Sequence, residues 1–179
     1  MSPTLRTALC PVAPSATAAL HRAPRPPRPS SLAYSLTIPG EPHCAAIART
    51  AVRSALRAHH LAPYVDIAVL AASELIASAA ELTPAEDLYL SLRYRNAALR
   101  LVLWDQHPRH KDPDAIALCA ERRRRSLWLL AALVDDCGGD WGGDWGGGWG
   151  SAEAQPPHRG TKSWAVLPCR GLEAPVPRW

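Results

Sequence analysis

The sequence has no long apolar run. Its longest uncharged apolar stretch, Leu127 to Val134, is far shorter than the roughly 20 residues a membrane-crossing helix needs. That excludes a membrane-spanning helix. It also has no Cys-x-x-Cys pair: Cys10, Cys44, Cys119, Cys137 and Cys169 are scattered and odd in number. Such a set argues against a disulfide framework or a structural zinc site and favours reduced thiols in a cytoplasmic protein. Acidic residues are missing from the first 34 positions, which carry Arg6, Arg22, Arg25 and Arg28. The remaining bases and acids cancel, so the net charge of +4 is local to the N-terminus. A neutral body lacks the basic footprint of a nucleic-acid-binding domain. Pro11 and Pro14 interrupt the only short Ala/Leu stretch near the start, which argues against a secretory leader.

What is present suffices for one domain with sequence to spare: 179 residues, 47% of them hydrophobic. Seven of the 18 prolines precede residue 31. Residues 1–30 therefore read as a disordered Pro/Ala/Arg-rich arm, residues 31–170 as the folded domain and residues 171–179 as a flexible tail.

Within the domain, Ser31–Ile38 alternates apolar and polar residues and ends at Pro39-Gly40, which predicts a first strand. From Glu41 to about His60 the spacing is helical, and Pro63 opens a second helix reaching about Glu81. Asp87–Tyr94 and Leu99–Asp105 read as the strands of a hairpin turning at Arg95–Ala98. Asp112-Pro113-Asp114 is a helix start. With no Gly or Pro before Gly138, one long helix to about Val134 follows. On it Ile116, Cys119/Ala120, Leu127, Leu130 and Val134 share a face that Arg123 interrupts. Ser163–Leu167 is a last short strand. The expected fold is a two-layer α/β (α+β) sandwich, its mostly antiparallel mixed sheet covered on one face by about three helices.

Few residues in this pattern carry chemistry. Glu74 sits in a helix that is apolar nearly all round, and burying a carboxylate costs several kcal/mol unless it is paired or used. Ser78, one turn later, shares its face; the plain alternative is an acid reaching solvent at the helix edge. Arg122–Arg125 reads first as a solvated helix face, with phosphate or an acidic partner as the other options. Residues 138–150 repeat as GGDW-GGDW-GGGW, an expanded loop beside the last strand whose Trp141, Trp145 and Trp149 could anchor a partner. No Gly-Lys-Ser/Thr follows it, so it is no phosphate loop. His107 and His110 lie near Asp105 and Asp112, as loop polarity or as a metal site.

The string Ser73–Glu81 (SELIASAAE) resembles the N-box helix of the GHKL (histidine kinase-like, Bergerat) ATPases. More narrowly, it is similar to that of the bacterial anti-sigma-factor serine/threonine kinases, which reads Ser-Glu-Leu-Val-Thr-Asn-Ala. Ser35–Pro39 (SLTIP) resembles the family's first strand. Arg100–Asp105 (RLVLWD) with Pro108 resembles its second motif, and Ser126–Val134 with Gly138 the helix after its lid. Gly160–Ala165 (GTKSWA) is similar to its closing Gly-Thr-x-x-Trp-Ala strand. The resemblance spans about residues 33–168.

It implies an ATP-binding regulatory protein acting on a protein partner, a sigma factor or an anti-sigma-factor antagonist, with room for a homodimer and no membrane or nucleic-acid partner. It implies Glu74 as the general base for a protein serine hydroxyl attacking the γ-phosphate, Asp105 as acceptor for the adenine amino group, and Thr161 in the same network. The family's Mg²⁺-ligating asparagine is Ser78 here, whose hydroxyl is a shorter metal ligand. Its lid glycines are replaced by Glu121–Ser126 (ERRRRS), which lacks the freedom to wrap phosphates. A degenerate, non-catalytic protein-binding module is therefore the alternative implied by the same residues.

Overall fold

A computed structural model describes residues 26–137, 148–153 and 159–169. Alternation decides the sheet. In β2 (Asp87–Arg95), Leu88, Leu90 and Leu92 are buried; in β3 (Ala98–Asp105), so are Leu99, Leu101 and Leu103. A strand turns successive side chains to opposite faces, so these leucines form columns beneath the helices. Asn96 and Ala97, both at φ 53°, make the two-residue turn between the strands. The left-handed conformation at both positions is what a tight hairpin twist requires.

β1 (Ala33–Pro39) pairs with β2, and β5 (Thr161–Pro168) pairs with β3. A short strand, β4 (Trp149–Glu153), covers the outer edge of β5. The sheet is antiparallel throughout, in the order β1-β2-β3-β5-β4. The expected mixed sheet of four strands is thus an antiparallel sheet of five. β4 falls partly within the Gly/Trp segment expected to be loop; residues 138–147 of that segment lie outside the described residues. Trp164 explains why a glycine-containing strand fits here: its ring lies across Gly150, where any side chain would collide with it.

Four α-helices lie among the described residues. α1 (Ala45–Ala58) follows a 3-10 turn at Pro42–Cys44, and α2 (Val65–Leu82) follows one at Ala62–Tyr64. Each turn carries its proline where the missing N–H costs nothing. Ala48, Val52 and Leu56 of α1 and Ala68, Ala72, Leu75 and Ile76 of α2 enter one core with the strand leucines. Small residues on α2 let it lie close to the sheet.

At the end of α1, His59 is buried and satisfied at both ring nitrogens. Nδ1 lies 2.7 Å from the Arg28 carbonyl and Nε2 lies 2.9 Å from the Tyr34 hydroxyl. This tie, with the 3-10 turn Pro29–Ser31, orders the chain slightly before the expected boundary at residue 31. Residues 1–25 of the arm, and the tail from residue 170, lie outside the described residues.

The single long helix expected after Asp112 is two helices. α3 (Pro113–Ser126) starts on the Asp112 cap, whose Oδ1 accepts from the Asp114 N–H at 3.3 Å. It stops at Leu127, which leaves helical geometry at φ −98°, ψ 12°, and α4 (Trp128–Asp136) follows. The break has a local contribution. The Arg123 carbonyl accepts both the Ser126 hydroxyl at 2.9 Å and the Leu127 N–H at 3.1 Å, and such a back-bond weakens and bends a helix. It also has a packing cause. Leu127, Leu130 and Val134 are buried, whereas Ile116 and Leu118 remain 43% and 63% exposed. The shared apolar face expected along the whole segment therefore does not exist.

Candidate functional site

The inward columns of β3 and β5 turn polar at one end. Leu99, Leu101 and Leu103 are followed at the next inward position by Asp105, and Leu167 and Ala165 are preceded by Ser163 and Thr161. The register sets Asp105 against Thr161 and Leu103 against Ser163. Asp105, Thr161 and Ser163 are all buried. Close approach of the chains here depends on Gly160, at φ 93°. A Cβ at that position would fall inside the Asp105 carbonyl oxygen, so no other residue fits without moving a strand.

Over this polar end lies the last turn of α3. Arg123, expected in a solvated run, is 3% exposed and is the one residue of α3 that is buried. Its Nη1 donates to Asp105 Oδ2 at 2.6 Å and to Ser163 Oγ at 3.3 Å. Nη2 is buried without a hydrogen-bond acceptor among the described residues. The other Asp105 oxygen, Oδ1, accepts from the His107 N–H at 3.0 Å. Both carboxylate oxygens are therefore engaged. The rest of the arginine run is exposed, and Arg124 and Arg125 pair with Glu121 on the outer face.

The same turn of α3 reaches α2. Ser78 is buried, and its Oγ lies 2.5 Å from Ser126 Oγ. Of the four residues singled out in the sequence, Asp105 and Thr161 are thus adjacent across two strands, and Ser78 joins them through the α3 turn that carries Arg123 and Ser126. Glu74 is half-buried and makes no hydrogen bond or ion pair with another described residue. Nothing in the hydrogen bonding links it to the other three.

Fit to an adenine nucleotide can be judged from these contacts. An adenine amino group needs an Asp105 oxygen that it can reach, and a magnesium ion needs the Ser78 hydroxyl to face a phosphate. Here both residues are 3% exposed: Arg123 lies against the first and Ser126 against the second. As arranged, these residues do not fit Mg-ATP.

Arg123 stood out in the sequence only as an interruption of the apolar face expected on this segment; nothing there pointed to Asp105 as its partner. Ser163 was legible only once the inward column of β5 is counted from Thr161.

A second feature, the sheet face away from the helices, went unread. Its rows run Thr37, Tyr89, Trp104, Lys162 and Ala152, then Ser35, Ser91, Val102, Trp164 and Gly150. Arg93 and Arg100 pair on the next row. These side chains line a groove of about 320 Å3 with Tyr89, Trp104 and Trp164 in its walls, and the Lys162 ammonium lies 5.1 Å from the Trp164 ring centre. Asp87 is the one acid whose strand register puts it on this face among the described residues. The overall neutrality of the body conceals this local positive charge.

The segment after Asp105 holds a third cluster. His107 and His110 stack edge-to-face with ring centres 5.1 Å apart, and Cys119 Sγ lies 3.3 Å from His107 Nε2. Partial burial lowers the His107 pKa from its ordinary value, and the Arg123 charge lowers it further; the Pro108 carbonyl and Asp105 oppose the shift.

In comparisons with known proteins, no protein-family model matches the sequence and no curated protein matches it.

Proposed function

We propose that this chain is a regulatory protein that works by binding a protein partner, on a sandwich similar to that of the anti-sigma-factor kinases, without phosphoryl transfer. The carrying observation is the buried Asp105–Arg123 pair. In the resemblance, the aspartate faces the adenine; here its own helix supplies the cation that faces it. A carboxylate and a guanidinium bonded at 2.6 Å out of water do not separate cheaply, because each would be left as an uncompensated buried charge. The helical stretch in place of lid glycines supports the same reading, since it already occupies the space over Ser78 and Asp105.

The surface that suits recognition is the grooved sheet face away from the helices. Arg93, Arg95, Arg100 and Lys162 with Tyr89, Trp104 and Trp164 suit an acidic protein surface: arginine and aromatic side chains are the usual anchors of such contacts. The sigma-factor or antagonist class of partner comes from the family resemblance.

The kinase reading keeps one observation in its favour: Glu74 is half-buried and unpaired among the described residues, as a general base held in reserve would be. Thermal unfolding of the full chain with and without Mg-ATP separates the two. A ligand at 100 times its Kd stabilises by about 2.7 kcal/mol, or several degrees for a domain of this size. No shift at millimolar Mg-ATP is expected. A shift of several degrees that vanishes in Asp105→Asn would overturn the non-catalytic reading and restore the kinase.

A further inference from the structure

We propose that His107, His110 and Cys119 form a binding site for a borderline-soft divalent cation of the zinc type. The three offer one thiol and two imidazoles whose ligand atoms all lie within 4.8 Å of one another. Zinc takes sulfur at about 2.3 Å and nitrogen at about 2.0–2.1 Å in a tetrahedral shell. Two such ligands then stand about 3.5 Å apart, and Cys119 Sγ and His107 Nε2 stand 3.3 Å apart. A metal fits between them with small side-chain rotations, and His110 closes the third position.

The ring of His107 is already oriented. Its Nδ1 lies 3.0 Å from the Pro108 carbonyl oxygen. A carbonyl can only accept, so Nδ1 carries the proton and the Nε2 lone pair faces the thiol. A backbone carbonyl behind the non-ligating nitrogen is the usual support of a metal-bound histidine. Cys119 is placed with similar economy. It lies one helical turn before Arg123, on the same side of α3, so the contact that seats Arg123 on Asp105 brings the thiol over the loop holding His107 and His110.

The cluster opens on a cavity of about 240 Å3 walled by Leu82, Ala115 and Leu118, with Glu81 and Arg122 also on its lining. A water or an exogenous ligand entering from this cavity supplies the fourth position, and Arg122 favours one of negative charge. Binding converts the Cys119 thiol to a metal-bound thiolate and releases its proton to solvent, so charge and atoms balance. The site joins the β3–α3 connection to α3 itself and does not depend on whether the Asp105 end of the sheet binds a nucleotide.

The test is titration of the metal-free full chain with Co²⁺, a spectroscopic stand-in, followed by displacement with Zn²⁺. One equivalent is expected to produce a thiolate-to-cobalt charge-transfer band and tetrahedral visible bands, with release of a proton, and Zn²⁺ should abolish them. Cys119→Ser should remove the charge-transfer band. His110→Ala, which alters a half-exposed loop residue and leaves the core intact, should weaken binding at least about tenfold, as changes even to supporting groups do. Absence of a thiolate band would overturn the proposal. So would a band that survives Cys119→Ser and is lost in Cys44→Ser, because it would move the metal to the cluster of Glu41, His43 and Cys44.

Discussion

The two halves of the helical layer rest on one sheet by different means. α1 and α2 are held mainly by apolar contact: alanines, Val52, Leu56, Leu75 and Ile76 pressed on the leucine columns of β2 and β3. α3 contributes one buried residue, Arg123, and its seat is a hydrogen-bonded ion pair at the polar end of β3 and β5. Hydrophobic packing has no direction and tolerates small shifts in position. An ion pair with both oxygens of its acid engaged permits one register. The first half therefore provides bulk stability, and the second fixes where a single turn of helix sits.

Arg123→Met should draw the sharpest contrast. It leaves Asp105 buried and unpaired, at a cost of about 3–5 kcal/mol measured by urea unfolding. Replacing both partners, Asp105→Leu with Arg123→Met, should recover most of that loss, because apolar replacement of a whole buried pair is often close to neutral. A double variant no more stable than the single one would show that the pair fixes more than its own charges. In the apolar half, Leu75→Ala should cost about 2–5 kcal/mol through the cavity it leaves, with no second substitution on a partner able to restore it.

Gly160→Ala should destabilise by about 1–3 kcal/mol or displace β5 from Asp105, visible as faster amide exchange at the Asp105 end of the sheet. Ser78→Ala should cost about 0.5–1.5 kcal/mol, a small effect because Ser126 keeps its bond to the Arg123 carbonyl. Cys169 tests the apolar end of the sheet. Burial pushes its thiol up to about 11 from an ordinary 9.0. The folded state thus holds the proton more tightly than the unfolded one, so its contribution to stability is complete below pH 9 and lost as pH rises towards 11. Cys169→Ala should remove that part of the alkaline decline in melting temperature.

The apolar half was largely legible from the sequence, and the polar half was not. Period-two leucines in β2 and β3 and the Pro-led starts of the first two helices are local signals, and the elements lie where those signals put them. The break at Leu127 has no Gly or Pro to announce it. It lies where a serine hydroxyl shares the Arg123 carbonyl and where a distant aspartate holds Arg123 inwards. β4 was hidden because Trp149–Glu153 has no alternation of its own, and the fit of Gly150 under Trp164 depends on a pairing that the local sequence does not announce. Asp105 and Thr161 could be named singly, but their engagement by Arg123 could not, since spacing along a chain does not reveal which charge a strand end will meet.

The strand order also carries a kinetic consequence. β3 meets β2 through a two-residue turn, but it meets β5 only after the 55 residues between Asp105 and Thr161 have been laid down. Closing so long a loop is entropically slow compared with forming a hairpin. During refolding the leucine columns of β2 and β3 can gather α1 and α2 early, while the Asp105 carboxylate stays in water, free of any desolvation cost. Its burial then coincides with the arrival of β5 and α3, so the buried Asp105–Arg123 pair forms last, when both partners are at hand.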